Sequence, residues 1–160
     1  CKCQDLLDKF GGHPMAAGLS MEEKNVELFR RRLNDNCTLT EQELIPKIMI
    51  DVPMPISYLS KKLTEQLKVL EPFGKGNSKP LFAQKNLRAV GIRVLGRNRN
   101  VAKMLLIDEN GIKMDAVYFG EAQEFVDFVQ AHDTISVTYY PEINVFQGRE
   151  NLQVVIKNYC

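Results

Sequence analysis

The most chemically suggestive string lies near the start of the chain, FGGHPMAAG at residues 10–18. Gly11 and Gly12 have no Cβ, so their backbone N–H groups can approach an anion closely. His13 adds a ring N–H that can donate a hydrogen bond to a phosphate oxygen. These three residues predict a phosphate-binding turn. The alternative interpretation is a tight turn with a surface histidine and no ligand.

A second signal is a block of positive charge in the middle of the chain. The whole sequence has 21 basic and 20 acidic residues, a net charge of +1. Between Pro72 and Ile107, however, there are eight basic residues and no acidic one, so the rest of the chain is acidic on balance. A block of one sign is the expected footprint of phosphate binding, and a solvated basic face without a ligand would give the same pattern.

The composition excludes several classes of protein. With 44% hydrophobic and 26% charged residues, the 160-residue chain is typical of a globular protein. No run approaches the ~20 apolar residues of a membrane span, so we predict no membrane contact. The four cysteines follow neither disulfide nor zinc spacing, which predicts free thiols in a reducing cytoplasm. Because Cys1 leads directly into a helical pattern, we interpret the chain as a C-terminal piece of a longer protein.

The first 36 residues predict a small mixed α/β segment. Apolar residues at positions 3, 6, 7 and 10 have helical spacing, and Gly11-Gly12 would end that helix. A strand at 15–19 would precede a second helix, capped by Ser20 and Glu23 as a capping box. Its buried residues would be Val26, Phe29 and Leu33. Such a segment has too little core to be stable alone.

Residues 37–80 are predicted to be a linker that leads into a larger domain. The linker contains a second capping box, Thr40 with Glu43, and a strand at 48–52 that Pro53 and Pro55 would end. Ser57 is predicted to cap a helix with leucines along one stripe. A turn-rich stretch at 71–80 follows.

The pattern from residue 81 onwards predicts a five-stranded barrel. The predicted strands are 87–95, 101–107, 112–119, 134–140 and 151–157, with a short helix between the third and the fourth. Glu109-Asn110-Gly111 is typical of a hairpin turn, and Gly91 would allow the bend that a closed barrel needs. This element order is that of an OB-fold. The predicted fold class is therefore α+β: a truncated α/β fragment followed by an OB-fold β-barrel with a flanking helix.

An OB-fold binds single-stranded nucleic acid across its second and third strands, between the loop joining strands one and two and the loop joining strands four and five. The first of these loops contains Arg97 and Arg99, and the second contains Phe146 and Arg149. Aromatic candidates for base stacking are Tyr118, Phe119, Tyr140 and Phe146, of which strand alternation should send half inward. The predicted nucleic-acid-binding residues are Arg93, Arg97, Arg99, Lys103, Tyr118, Phe146 and Arg149.

Three motifs in order resemble one known family. The string at 10–18 is similar to the GGH motif of the DHH phosphoesterase superfamily, in the substrate-binding domain that follows the catalytic domain. LEPFGKGN at 70–77 and the pattern from Tyr140 to Ile156 resemble the segments that enter and close the OB domain of the RecJ exonucleases within that superfamily. The resemblance covers residues 6–156. Ser78 departs from it, because the family usually has a proline there.

The resemblance implies a domain organisation and a function. Residues 1–36 would end the DHH-associated domain, 37–80 would be the linker, and 81–160 would be the OB domain. The parent enzyme would hydrolyse single-stranded DNA from its 5′ end with Mn²⁺ or Mg²⁺, in cytoplasmic DNA repair and recombination. Its metal ligands would lie outside this chain, which is therefore predicted to be inactive alone and to hold no metal. Gly11, Gly12 and His13 would contact a phosphate of the DNA end.

Two other functions are compatible with these observations. The barrel could be a protein-interaction module whose basic block binds the acidic tail of a partner such as single-strand-binding protein. Enzymes of the superfamily that act on short nucleotides or tRNA-linked substrates share the Gly-Gly-His string but generally lack the barrel. Residues 87–157 therefore argue against that second possibility.

Overall fold

The structure is a computed structural model that describes residues 2–160. The chain divides into two compact units, Cys1–Lys47 and Ile48–Cys160. The boundary falls inside the segment that was predicted to be a linker, so residues 48–80 belong to the same unit as the barrel. None of the helices among the described residues is long and apolar enough to cross a membrane.

The first unit is a hairpin followed by two helices. Its elements are β1 (Lys9–His13), β2 (Ala16–Ser20), α1 (Val26–Asp35) and α2 (Glu41–Leu44), with 3-10 turns at Gln4–Leu6 and Glu23–Asn25. β1 and β2 are antiparallel. Of the hydrophobic residues described in this unit, only Cys3 and Leu6 are buried. The unit therefore has very little core of its own.

The prediction of a helix that ends at Gly11-Gly12 was wrong. Only Gln4–Leu6 is helical there, and both glycines lie inside β1. Gly11 is opposite Gly18 and Gly12 is opposite Ala17, so a β ladder satisfies the backbone groups that a helix would have satisfied. The hairpin partner comes from later in the chain, and local spacing could not reveal it.

The capping box predicted for α1 is also absent. The residues at the N-caps are Glu22 for the 3-10 turn and Asn25 for α1, and neither side chain makes a capping hydrogen bond. The apolar residues of α1 are not buried as predicted, since Val26 is 43% and Leu33 is 51% exposed.

The second predicted capping box, at α2, is confirmed. The backbone N–H of Thr40 donates to Oε2 of Glu43 at 2.8 Å, and the N–H of Glu43 donates to Oγ1 of Thr40 at 3.4 Å. These hydrogen bonds favour the ionised carboxylate and hold the pKa of Glu43 below its ordinary value.

The second unit is a closed barrel with a preceding arm. The arm contains β3 (Val52–Pro53), α3 (Lys61–Leu67) and 3-10 turns at Ile56–Tyr58 and Lys68–Leu70. The barrel contains β4 (Phe82–Leu95), β5 (Val101–Ile107), β6 (Lys113–Phe119), α4 (Ala122–Gln130), β7 (Ile135–Phe146) and β8 (Arg149–Tyr159). The strand order is β3-β4-β5-β6-β8-β7, and β7 also pairs with β4, which closes the barrel. The predicted OB-fold is confirmed.

Two predictions for the arm were wrong. The strand expected at 48–52 is only Val52–Pro53, which pairs in parallel with the start of β4, so Pro53 is the last residue of the strand and not the residue after it. The helix cap is Ser60 and not Ser57: the Ser60 side chain accepts a hydrogen bond from the Leu63 N–H at 3.1 Å. Both serines precede apolar residues at helical spacing, and the 3-10 turn at 56–58 moves the start of the helix.

The barrel closes around side chains that alternate along its strands. Gly91 has a φ of +63° at a register shift in β4, and this bend is one that a side chain would strain. Phe125 of α4 is fully buried and stacks on Tyr118, with ring centroids 4.8 Å apart. Tyr159 meets Phe125 edge to face, also at 4.8 Å. This aromatic cluster fixes α4 against the ends of β6 and β8.

A hydrogen bond from the buried Tyr139 side chain helps to tie the arm to the barrel. The Tyr139 hydroxyl donates to the carbonyl oxygen of Met54, and burial raises the pKa of that hydroxyl. We expect Tyr139→Phe to lower the free energy of unfolding by about 1–2 kcal/mol, because the Met54 carbonyl loses its partner. Urea denaturation measures this change. Tyr58→Phe is the matched control, since Tyr58 is 72% exposed, and an equal loss in both variants would contradict the assignment.

Candidate nucleic-acid interface

The outward-facing side chains of β4, β5 and β6 form the candidate interface. Along β5, the buried residues Ala102, Met104 and Leu106 alternate with more exposed ones, so Lys103 and Leu105 face outward. The strand register then places the remaining outward residues in rows across the three strands. We call this surface the outer face.

Four basic residues lie on the outer face. Arg93 is directly opposite Lys103, and four residues further along β5 Arg88 and Lys113 flank Ile107. Like charges placed opposite each other on a sheet are destabilising. None of these four forms an ion pair with a carboxylate in the described part of the chain. The four residues, which we call the cationic rows, are thus free to meet phosphates.

Phe119 brings an aromatic ring to the same surface. It is opposite Val101, in the row next to the Arg93–Lys103 pair, and 56% of its side chain is exposed. Tyr118, which was the predicted stacking residue, points inward, and its ring is stacked on Phe125 and packed against Tyr159. Phe119 is therefore the better placed ring. The register of β6 with β5 determines that Phe119 faces outward and Tyr118 faces inward.

Tyr140 is also withdrawn from solvent. It is buried at 7% exposure, with Phe73 packed edge to face against its ring and the Lys79 ammonium 4.8 Å from the ring centroid. Burial raises the pKa of its hydroxyl, and Glu71 and Glu142 add to the shift. Two of the four aromatic candidates therefore face inward or are covered, and Phe119 and Phe146 are exposed.

The two predicted loops lie at opposite ends of the outer face. The loop with Arg97 and Arg99 precedes Val101, next to Phe119, whereas β8 runs parallel to β6 from the other end. Arg149 is seven residues before Ile156, the partner of Tyr118, so the tip is roughly 23 Å away along β8. The loops therefore bracket the outer face and do not form one continuous rim.

Each loop presents its predicted residues to solvent. In the first, Arg99 has a φ of +52° and its Nη2 donates to Oε1 of Gln123 at 3.3 Å, which orients the guanidinium. In the second, Gln147 and Gly148 both have positive φ, the conformation of a tight type I′ hairpin turn. Phe146 and Arg149 pair directly beside that turn, and Phe146 is 65% exposed.

The Gly-Gly-His string lies in the first unit, on the β1–β2 hairpin. A Cβ on Gly12 would lie 2.5 Å from the Ala16 carbonyl oxygen, so only glycine fits there. A Cβ on Gly11 would meet nothing within 4 Å, so that position is open to a ligand. His13 is exposed, and its Nδ1 accepts the Met15 N–H at 3.3 Å, which leaves Nε2 as the donor. The three residues thus lie on a strand and not in the predicted turn.

The described residues do not fit a metal site. Residues 2–160 contain no group of three or more His, Cys, Asp and Glu side chains close enough to hold an ion. His132 Nδ1 lies 2.8 Å from the carbonyl oxygen of Phe128, and its ring stacks on the Phe128 ring.

Comparison with known proteins agrees with this architecture. A family model described as "RecJ OB domain" matches residues 50–158. The chain belongs to the RecJ family. The single-stranded-DNA-specific exonuclease RecJ of Bacillus subtilis is 31% identical over 159 residues, which are 98% of this chain and 20% of that protein. The Escherichia coli RecJ is 30% identical over 159 residues, covering 96% of this chain and 26% of that protein.

Solved RecJ structures share the fold. The crystal structure of RecJ in complex with Mn²⁺ from Thermus thermophilus has a TM-score of 0.72 and 22% sequence identity, and it covers 99% of this chain and 22% of that one. The corresponding Mg²⁺ complex has a TM-score of 0.70. The chain thus spans about a fifth to a quarter of the length of these RecJ relatives.

Sequence reasoning missed part of the outer face of the RecJ OB domain. Arg88 was counted in the basic block and Lys113 was not, and neither was assigned to the interface. The signal that would have found them is alternation: both are two residues from an outward neighbour on the same strand. Assigning alternate residues to inside and outside required knowing which set was buried.

Proposed function

We propose that the outer face binds single-stranded DNA and that this chain is the substrate-binding C-terminal part of a RecJ-type exonuclease. The observation that carries the proposal is the pair Arg93 and Lys103, held opposite each other without a carboxylate partner and next to the exposed ring of Phe119. Cations neutralise phosphates and release counterions, and an aromatic ring stacks any base. Both interactions are independent of sequence, as an exonuclease substrate requires.

The same proposal assigns the chemistry to the rest of the parent protein. The parent hydrolyses phosphodiester bonds from the 5′ end in DNA repair and recombination in the cytoplasm, with Mn²⁺ or Mg²⁺ held outside this chain. A divalent ion would supply an activated water and charge stabilisation there. Gly11 and Gly12 would let a phosphate of the DNA end approach the hairpin closely, and Nε2 of His13 would donate a hydrogen bond to it. The RecJ relatives are exonucleases specific for single-stranded DNA, and the RecJ structures with Mn²⁺ and Mg²⁺ contain a divalent ion, which supports exonuclease activity and a divalent ion in the parent.

Binding of a labelled oligo(dT) to the 160-residue chain, followed by fluorescence anisotropy at several salt concentrations, tests the proposal. We expect affinity that falls steeply with salt, preference for single strands over duplex, and no cleavage with Mn²⁺. Equal affinity for a blunt duplex would overturn single-strand binding. An acidic peptide added as a competitor of the oligonucleotide distinguishes DNA binding from the protein-interaction alternative. That alternative predicts that the chain binds the peptide and does not bind the oligonucleotide.

The first loop is expected to contribute moderately. Arg97→Ala combined with Arg99→Ala should weaken oligo(dT) binding about 5-fold and flatten its salt dependence, because phosphate contacts are lost in a loop at one end of the outer face. Anisotropy titrations between about 50 and 200 mM salt measure the affinity and its salt dependence. An unchanged salt slope would remove this loop from the interface.

A further inference from the structure

One negative charge lies among the cationic rows. Asp115 on β6 is opposite Leu105 on β5, so it faces outward, and it is half-buried. It is two residues from Lys113 on its own strand and diagonal to Lys103 on the next one. In residues 2–160, neither lysine comes within ion-pair distance of its carboxylate. The negative charge of Asp115 is therefore not neutralised by its neighbours.

The negative charge continues across the sheet. Asp115 is opposite Gln153 on β8, which is in turn opposite Glu142 on β7. The buried Gln153 donates from Nε2 to Oε1 of Glu142 at 2.7 Å, which holds that carboxylate in place. A row with two carboxylates thus runs beside the Arg93–Lys103 pair. The two rows are two strand residues, or roughly 6.6 Å, apart, and Asp115 is about 7–8 Å from Lys103 as its diagonal neighbour.

The distance from Asp115 to Lys103 is comparable to the screening length of about 8 Å at physiological salt, so salt screens the charge of Asp115 only in part. A phosphate that passes from the Arg93–Lys103 pair towards Arg88 and Lys113 therefore feels repulsion from Asp115. The repulsion is smallest on the β4–β5 side of the outer face, since the acidic row runs from β6 to β7.

Resting on the proposed function, we propose that Asp115 limits the affinity of the outer face for single-stranded DNA and directs the phosphates along β4 and β5. The side chain acts by position and charge and makes no bond to the strand. A face with four cations and no such carboxylate would release its strand more slowly, and an exonuclease must move along its substrate. Asp115 keeps the interaction reversible.

Asp115→Asn tests the proposal, because it removes the charge and keeps the shape. We expect the variant chain to bind oligo(dT) about 3- to 10-fold more tightly at 0.1 M salt, mainly through slower dissociation, and the gain to shrink at high salt. Glu65→Gln on α3 is the matched control: it changes the net charge equally, on an element that packs against β7. Its effect should stay below 2-fold.

Each outcome separates this inference from the proposed function. If Asp115→Asn binds like the unchanged chain while Arg93→Ala weakens binding, the role of Asp115 is overturned and the interface stands. If Asp115→Asn and Glu65→Gln tighten binding equally, net charge explains the gain and the role of Asp115 is again overturned. If Arg93→Ala also has no effect, the interface itself fails. Should the asparagine variant not fold by thermal unfolding, Asp115→Ser is judged by the same criteria.

Discussion

Replacing Arg93 and Lys103 together by alanine is expected to weaken oligo(dT) binding about 25-fold at 0.1 M salt. Each cation that neutralises a phosphate of a single strand contributes about 0.7 to the slope of log K against log salt, so two contacts contribute about 1.4. At one-tenth molar salt, this slope corresponds to roughly 25-fold in affinity. Anisotropy titrations at four salt concentrations measure both the affinity and the slope.

The matched control for this double variant is Lys62→Ala with Lys68→Ala. It removes the same total charge from α3 and the turn that follows it, both outside the outer face. The control is expected to lose less than 3-fold in affinity, because charges beyond a screening length contribute little. Equal losses in the two double variants would mean that the chain attracts DNA by its net charge, and the proposed interface would be wrong.

The double variant of Arg93 and Lys103 is expected to lose DNA affinity without losing stability. Arg93 and Lys103 face each other across β4 and β5, and like charges in that position destabilise a sheet by a few tenths of a kcal/mol. The variant should therefore be as stable as the unchanged chain or slightly more stable in urea denaturation. Residues that bind a ligand and lower the stability of the fold are typical of a functional surface.

The barrel was predictable from the sequence because its signals are local and strong. Strand β5 has the predicted bounds, Val101–Ile107, since a largely apolar run lies between the polar turn at 97–100 and the hairpin turn at 109–111. The turn before β6 follows from Asn110-Gly111, and Gly111 has the positive φ that such a turn needs. The strand order then follows from the known arrangement of three strands, a helix and two strands.

The first unit was harder to predict because its structure depends on distant pairing. The spacing of apolar residues up to Phe10 fits a helix, yet Phe10 pairs with Leu19 in the hairpin. Propensity is a weak guide when a tertiary partner competes with it. The half-exposed Val26 and Leu33 show the same limit, because an amphipathic pattern identifies an apolar stripe and does not identify what covers it.

The candidate site was predictable in its region and not in its individual side chains. The alternation of side chains along a strand predicts that Tyr118 and Phe119 point to opposite faces of the sheet. It does not predict which of them faces inward. Phe125 of α4 and Tyr159 of β8 decide the matter by packing against Tyr118. The same reasoning applies to Asp115, whose position between two lysines is visible only once β5 and β6 are in register.

Phe119→Ala is expected to weaken oligo(dT) binding by roughly 5- to 150-fold, the range that corresponds to the ~1–3 kcal/mol of one base stacked on an aromatic ring. Because stacking involves no counterion release, the fold-change should be the same at low and high salt, unlike that of the Arg93 and Lys103 variant. Phe119→Trp should restore binding, since its ring also offers a face for stacking.

Tyr118→Phe is the control that separates the two neighbours on β6. It keeps the ring that packs on Phe125 and Tyr159, so neither the fold nor DNA binding should change beyond 2-fold. Phe119 is more than half exposed, and its removal should leave the urea midpoint almost unchanged. A loss of binding in Phe119→Ala that disappears at high salt would point to an indirect effect on the neighbouring cations. It would therefore contradict stacking, because a ring that contacts a base acts at every ionic strength.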